Sequence, residues 1–533
     1  MTKHTSRYIV SALFASFLLV AEGQTAAAQS RSSEPPDSVR ADSAKRNPQQ
    51  LKAVRVDATK PRSRYAAGYS RTATKTPALA RDVPQSLTNV TSALAHDQGM
   101  QSMADVVRYV PGITMGQGEG NRDQPTIRGN GTSADFYVDG ARDDAQYFRD
   151  LYNLDRVEAL RGSNAMVFGR GGGGGVLNRV TKQAGWNTSR SVTAEGGSFG
   201  SRRVSTDLQQ NVSPFVAARL NSVYENSDLF RDGASLERSG INPTVTIASR
   251  DRATVLAAGY EHFQDHRTAD RGVPSFNGRP VDTDPSTFCG NADRNLARMN
   301  VNSANATISH DAGRFQVRNN TRFSDYDKFY QNIFSGAVNA AGDQVNLTAY
   351  NHGIGRRNVF NQTDLTIAAN TGSVTHDLLA GAEIGRESTS SIRKTGYFGD
   401  DATSQLVPVS NPHATVPVSF RQSATDADNA TVVNTKSVYV QDQVMFTPAI
   451  RVIAGARYEQ FDIRFNDHRA QAELNRSDDM FSPRAGVVFK PAQLVSLYAS
   501  YSLSFLPGSG DQFSSLTEAT AGLKPERFSN YEA

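Results

Sequence analysis

After Trp186, hydrophobic and polar positions alternate one for one in several stretches of the chain. In residues 495–505, Val495, Leu497, Ala499, Tyr501, Leu503 and Phe505 share one parity, and Ser496, Tyr498, Ser500, Ser502 and Ser504 share the other. Residues 216–224 repeat the scheme, with Val216, Ala218, Leu220 and Tyr224 opposed to Arg219 and Asn221. Val452, Ala454, Ala456 and Tyr458 stand likewise against Arg457 and Glu459. Side chains along a strand point alternately to its two faces, so each run predicts a strand with one face for lipid and one for water. Runs of about ten residues of this kind are what a transmembrane β-barrel requires.

The connections carry a second pattern. Tight turns are expected at 211–214, 249–251, 310–313, 370–372, 447–449 and 491–493. Between them lie polar connections at 226–239, 264–298, 326–358, 387–430, 464–480 and 504–527. Outer-membrane barrels have short turns at one end and long loops at the other. A soluble β-sandwich, the alternative, has no reason to alternate its loop lengths in this way.

Residues 76–185 have another texture and predict a small mixed α/β domain. Ser102 with Asp105 three positions on has the spacing of a capping box at a helix start, and Pro111-Gly112 ends that helix. Extended pieces are expected at 83–90, 125–128, 136–139, 156–160 and 176–180, with a short helix at 92–98. The five glycines 171–175 forfeit packing and backbone entropy, so they read as a tight, positive-φ connection.

Ahead of this domain, Lys3, His4 and Arg7 precede the apolar run 8–21, and Ala26-Ala27-Ala28 has the small-x-small form of a signal-peptidase site. A signal peptide is therefore expected over 1–28, with a leader over 29–75. Its first part holds almost no large apolar residue and cannot offset its ordering entropy. Leu51-Lys52-Ala53-Val54-Arg55-Val56-Asp57-Ala58-Thr59 then alternates. It suits addition as an edge strand to a partner's sheet; a linker fragment is the other reading.

Composition removes other classes. The 57 basic residues are scattered among 53 acidic ones for a net charge of +4, with no basic stripe of the kind a nucleic-acid binder shows. A single cysteine, Cys289, excludes an intramolecular disulfide and cysteine metal clusters. Residues 169–174 satisfy G-x-G-x-x-G only as any glycine run does, because a strand-like segment follows where a helix is needed. The nine histidines have no metal-ligand spacing, and no catalytic constellation is identifiable, so no enzyme is expected.

A set of ordered motifs resembles the TonB-dependent siderophore receptors of the Gram-negative outer membrane. In the α/β domain these are RDVPQSLTNV (81–90), VVRYVPGIT (106–114), TIRGNG (126–131), YVDGARDDAQYF (137–148) and LDRVEALRGSNAMVFGRGGGGGVLNRVTK (154–182). In the strand-rich part they are RGVPSFNGRP (271–280), VYVQDQV (438–444), AGARYEQFD (454–462), FSPRAGVVFKP (481–491) and LKPERFSNYE (523–532). DDAQYF and RGVPSFNGRP are most similar to receptors for monomeric catecholate siderophores. The resemblance implies a transmembrane antiparallel β-barrel of the 22-stranded type over 186–533, with an N-terminal α/β plug domain over 76–185 in its lumen. By count about thirteen complete strands precede Tyr531-Glu532-Ala533, so roughly 200 further residues are expected in a complete barrel of this type.

The resemblance also implies function. It makes 51–59 a TonB box through which TonB, with its inner-membrane energising complex, pulls on the plug, because the outer membrane has no ATP. Ferric siderophore is the expected ligand and no cofactor is expected, since the siderophore already saturates the iron. The protein is expected as a monomer in outer-membrane lipid. An anionic, aromatic ferric catecholate calls for cationic and aromatic groups facing outward. The plug loops offer Arg122, Arg142, Tyr147, Phe148 and Arg149, and the barrel loops Arg267, Arg271, Tyr326, Tyr330, Arg356 and Arg357; solvated loop residues are the alternative for each. Arg128 and Arg161 are expected to pair with the barrel at Glu532, or within the plug at Asp139 or Glu158. A non-transporting remnant, or import of haem or cobalamin, are the other functions left open.

Overall fold

The computed structural model describes residues 64–67, 69–171, 173–492, 494–510, 512–513 and 516–533. The signal-peptide segment 1–28 and the TonB-box segment 51–59 lie outside them.

Five strands form the sheet of the plug: β1 (Leu87–Thr91), β2 (Phe136–Val138), β3 (Ala141–Arg142), β4 (Leu154–Arg161) and β5 (Gly175–Thr181), in the order β1-β4-β5-β2-β3. Only the β5–β2 pair is parallel. Helix α1 (Ser92–Asp97) is capped by the Thr91 side chain, and α2 (Met103–Val107) by the Ser102–Asp105 capping box. Helices this short are marginal alone and persist by packing. Met103, Val106 and Val107 of α2 cover Phe136, Val157 and Leu177 on one face of the sheet. On the other face, Met166, Val167 and Phe168 of α3 (Ala165–Phe168) and Ala73 cover Tyr137, Leu160 and Val176.

The glycine run differs from its expected role. Gly175 has φ +147°, but Gly171, Gly173 and Gly174 do not take positive φ. Close approach is what excludes a side chain: a Cβ on Gly174 would stand 2.3 Å from the Ile127 carbonyl oxygen, and one on Gly173 2.4 Å from the Phe528 ring.

Fourteen strands then follow in sequence order as one antiparallel sheet. They are β6 (Ser189–Gly196), β7 (Arg202–Ser213), β8 (Val216–Asp228), β9 (Ser235–Ala248), β10 (Thr254–Arg267), β11 (Leu296–Asp311), β12 (Phe315–Val338), β13 (Gln344–Thr371), β14 (Val374–Phe398), β15 (Asp428–Thr447), β16 (Ile450–Asp467), β17 (Ala472–Ala492), β18 (Val495–Leu506) and β19 (Glu526–Glu532). Alternation sets their two faces: Val438 and Val440 are 58% and 60% exposed while Tyr439 and Gln441 between and after them are each 2%. Tyr224 lies outward opposite Val204 of the neighbouring strand, and Asn221 is buried. In β18, Val495 and Leu497 face outward, but Leu503, expected with them, is buried.

The short turns lie where the pattern placed them. Four of the long connections do not: 226–239, 326–358, 387–430 and 464–480 are largely strand, because β8, β9 and β12 to β17 continue past the lipid-facing band. Beyond the lipid, neither face is required to be apolar, so strands there lose the alternating signature while the backbone still pairs. These outer ends carry two further strands, Ser404–Pro408 on β13 and Val418–Arg421 on β14, around a core of Ile333, Val345, Leu347, Phe398 and Val407.

Candidate functional site

The inward faces of the barrel strands are polar and charged, and they close on the plug through ion pairs. Three aspartates of the plug segment 143–150 anchor this interface. Asp143 takes Nε of Arg149 at 3.0 Å and Nη2 of Arg179 at 2.5 Å, and accepts from the Tyr326 hydroxyl on β12 at 2.7 Å. Burial opposes its charge, but Arg149 and Arg179 outweigh burial and hold the carboxyl well below the usual range. Asp144 meets Arg356 of β13 at 3.1 Å and accepts from Asn358 at 3.0 Å. Asp150 bridges Arg203 of β7 and Arg238 of β9, each at 2.7 Å, and these arginines continue to Glu225 and Asp265.

The glycine-rich segment supplies a second anchor. Arg170, just before the glycines, reaches Glu387 of β14 at 2.6 Å, and its backbone N–H donates to Glu459 of β16 at 3.1 Å. Its guanidinium lies between the rings of Phe461 and Phe513, 4.9 and 5.2 Å from their centroids. A third anchor is Glu532 on β19, which pairs with Arg128 at 3.2 Å and accepts from the Ser86 N–H at 2.7 Å and the Tyr498 hydroxyl at 2.5 Å. Arg161, expected against the barrel, instead donates to the Pro111 carbonyl and the Thr88 hydroxyl within the plug, at 2.6 and 3.1 Å. Neither Asp139 nor Glu158 is its partner: Asp139 binds Thr181 and Glu158 binds Arg156.

Most residues expected to face outward for ligand are buried in this interface. Arg149 sits over the Phe136 ring and donates to the carbonyls of Asp143, Ala145 and Tyr147. Arg142 is buried over the Tyr137 ring, Tyr147 donates to Asp143, and Arg356 is held by Asp144. Tyr326 and Tyr330 lie on a strand rather than in a loop, pointing inward. The correction has one cause: a charged or aromatic residue near a barrel mouth satisfies the plug–wall contact as readily as it would a ligand. Arg357 is exposed on the outward face of β13 and pairs with Asp325.

Arg122, Phe148 and Arg271 remain partly open at the mouth. Arg122 contacts Glu119 at 3.0 Å and Arg271 contacts the same carboxylate at 3.3 Å. Arg271 stacks on Phe334, Arg393 on Tyr350, and Arg267 on Phe148, at 3.9, 4.1 and 4.0 Å from the ring centroids. Nearby, Cys289 is buried, and burial pushes its thiol up to about 11.

At the opposite end, residues 69–77 thread between plug and wall. The Thr74 carbonyl accepts from Gln441 at 2.9 Å, the Ala73 carbonyl from Arg484 at 2.5 Å, and Lys75 lies 4.7 Å from the Tyr439 ring centroid. A cavity of about 350 Å³ adjoins this strap, lined also by Asp139, Asn178, Arg318 and Asp364. Sequence reasoning missed the acidic side of the interface, Asp143, Asp144, Asp150, Glu387 and Glu459. Their signal was present as carboxylates at inward parity on strands, and as the acidic pair inside YVDGARDDAQYF.

Residues 80–176 match the TonB-dependent Receptor Plug Domain, and residues 235–533 match the family described as TonB dependent receptor-like, beta-barrel. A plug fastened by ion pairs to the inner wall of an antiparallel barrel is the architecture of that class, and the chain belongs to the TonB-dependent receptor family of the outer membrane. It is a family of receptors and transporters, not enzymes. The chain is 26% identical over 500 residues to the probable TonB-dependent siderophore receptor PiuA of Acinetobacter baumannii, covering 85% of this chain and 65% of that protein. It is 25% identical over 500 residues to the catecholate siderophore receptor Fiu of Escherichia coli, covering 84% and 64%. The crystal structure of PiuA superposes with a TM-score of 0.79 at 22% identity, covering 88% of this chain and 72% of that one. The closed form of Fiu gives 0.77 at 23%, covering 87% and 72%. The chain thus spans about 65% of the length of these curated relatives.

Proposed function

We propose that this receptor imports a ferric siderophore of catecholate type, driven by TonB. The observation that carries the reading is the mouth, where Arg271 and Arg267 stack on the rings of Phe334 and Phe148 and Arg122 shares the Glu119 carboxylate with Arg271. Guanidinium groups supply charge and stacking to a flat anionic complex, and aromatic rings supply apolar area. Iron arrives already coordinated, so the protein needs no ligand of its own for it. The names of PiuA and Fiu support siderophore cargo. A relative named as the ferrichrome outer membrane transporter of Escherichia coli, 27% identical over 494 residues, makes a hydroxamate the second reading.

In this reading the segment 51–59 is captured by TonB as an added strand. The pull passes along the chain to residues 69–77, whose withdrawal enlarges the adjoining cavity between plug and wall. The receptor works as a monomer in the outer-membrane lipid, with TonB and its inner-membrane energising complex as partners.

The test is uptake of labelled iron in a host lacking its own siderophore receptors, supplied as a ferric catecholate, a ferric hydroxamate or haem. Uptake from the catecholate, lost on deletion of 51–59 while surface binding persists, is the expected result. Uptake that survives the deletion would refute TonB coupling through that segment, and uptake confined to the hydroxamate or haem would refute the cargo.

A further inference from the structure

The plug loop 118–122 holds one carboxylate shared between two arginines. Glu119 pairs with Arg122 at 3.0 Å and with Arg271 at 3.3 Å, and among the described residues neither arginine has another ion pair. Lys328 on β12 is buried beside them, and its Nζ donates to the Asn121 side chain at 2.7 Å. Two guanidinium groups thus share one carboxylate, whose side chain is itself 34% exposed. The charge excess is unusual for a closed contact, because buried charges are normally matched.

The backbone here is held in an unfavourable shape. Gly118, Glu119 and Gly120 follow one another at φ +49°, +62° and +73°, and the middle one is not glycine. Left-handed φ is costly for a residue with a side chain and persists only where its surroundings enforce it. The enforcing contacts are the Glu119 ion pairs and the Tyr330 hydroxyl, which donates to the Glu119 carbonyl at 2.8 Å. Close behind, Asp123 accepts from the Arg149 N–H at 3.0 Å, so the loop leads directly to the ionic cluster around Asp143.

We propose that Glu119 occupies the place of the cargo's anionic oxygens: an anionic ferric complex binds Arg122 and Arg271 by displacing the Glu119 carboxylate, and the displaced loop leaves its left-handed turn. This rests on the catecholate reading above and deepens it, by making cargo binding an exchange of anions that loosens the top of the plug.

The test uses the purified protein and ferric tris(2,3-dihydroxybenzoate). Glu119→Gln removes the competing charge and binds the complex about tenfold more tightly, whereas Arg271→Gln binds it about tenfold more weakly. Amide hydrogens of residues 118–122 exchange faster in Glu119→Gln than in the wild type without any ligand. Unchanged or weaker affinity in Glu119→Gln overturns the proposal whatever the exchange shows, and tighter binding without faster exchange overturns the loosening of the loop. Should wild type and variants all fail to bind the complex, the catecholate reading falls and this one with it; equal binding by wild type and Glu119→Gln sinks this proposal alone.

Discussion

Oε2 of Glu387, on the barrel wall, lies 2.6 Å from Nη2 of Arg170, the residue that leads into the glycine run of the plug. Both side chains are almost wholly withdrawn from water, at 1% and 6% exposure. Removing one partner of a buried pair costs about 3–5 kcal/mol where the other is left uncompensated, and here Asp144, 3.9 Å from Arg170, offsets part of that loss. Glu387→Gln is therefore expected to loosen the plug, raising amide exchange across 165–171 by about 100-fold, which corresponds to about 3 kcal/mol. The double variant Arg170→Met with Glu387→Leu recovers most of this loss, since a matched apolar pair is no worse than the ionic one. Equal exchange in wild type and Glu387→Gln would show that the pair does not hold the plug.

Seating of the plug is expected to depend on acid. Asp143 and Asp150 are both held below their ordinary range: burial opposes the charge, but Arg149 and Arg179 outweigh it at Asp143, and Arg203 and Arg238 at Asp150. A carboxyl whose folded pKa is depressed contributes stability that is present above its unfolded value, about 3.9, and is lost as pH falls toward the folded value. The unfolding midpoint is thus flat from about pH 7 to pH 5 and falls below about pH 4. Asp150→Asn lowers the midpoint at pH 7 and makes the acid fall shallower. A midpoint as steep in acid for this variant as for the wild type would count against the assignment.

What the sequence disclosed follows from where water and lipid impose a rule. Lipid requires apolar residues at one parity, so Val438 and Val440 could be assigned to the outer face from the sequence alone, and the short turns were placed by the ends of such runs. The capping box at Ser102 was legible because its pairing is local. The upper halves of β12 to β15 were hidden because no lipid touches them. The inner wall was hidden for another reason: its ion pairs join residues far apart along the chain, 217 positions for Arg170 and Glu387 and 212 for Asp144 and Arg356. Composition shows that arginines are present but not which carboxylate each will meet. That is why Arg149 and Arg356 looked like ligand groups and Arg161 like a wall contact.

Gly174 tests what the glycine run is for. An added methyl would stand 2.3 Å from the Ile127 carbonyl oxygen and 3.1 Å from the Ile127 Cβ, so backbone rather than a flexible side-chain tip must move. Gly174→Ala is expected to destabilise the plug by about 1–3 kcal/mol through overpacking. Gly140→Ala, with nothing within 4 Å of the added atom but φ +84°, carries backbone strain alone and is expected to cost about 1–2 kcal/mol. Thermal unfolding separates the causes: at 174, where the atoms met are backbone and Cβ, a larger side chain (Gly174→Val) lowers the midpoint well beyond Gly174→Ala, whereas Gly140→Ser, with open space around it, loses no more than Gly140→Ala. Equal midpoints for Gly174→Ala and Gly174→Val would remove close approach as the reason for glycine at 174.

Glu532 and Arg128 form an ion pair whose two ends are unequal. The Arg128 side chain is 36% exposed and the Glu532 side chain 7%. An exposed guanidinium that loses its partner is solvated by water, so Arg128→Ala is expected to cost less than about 1 kcal/mol. Glu532 serves more than that pair: the Ser86 N–H and the Tyr498 hydroxyl both donate to its Oε1, at 2.7 and 2.5 Å. Removing it leaves these half-buried donors without their acceptor, and a group cut off from water costs about 1–3 kcal/mol when unsatisfied. Glu532→Ala is expected to cost about 3 kcal/mol, and Glu532→Gln less, because an amide oxygen still accepts from one or both donors. Amide exchange at Ser86 reads the contact directly and should rise far more in Glu532→Ala than in Arg128→Ala. Equal effects of the two alanine variants would mean that the ion pair, and not the hydrogen-bonded carboxylate, fastens this edge of the plug.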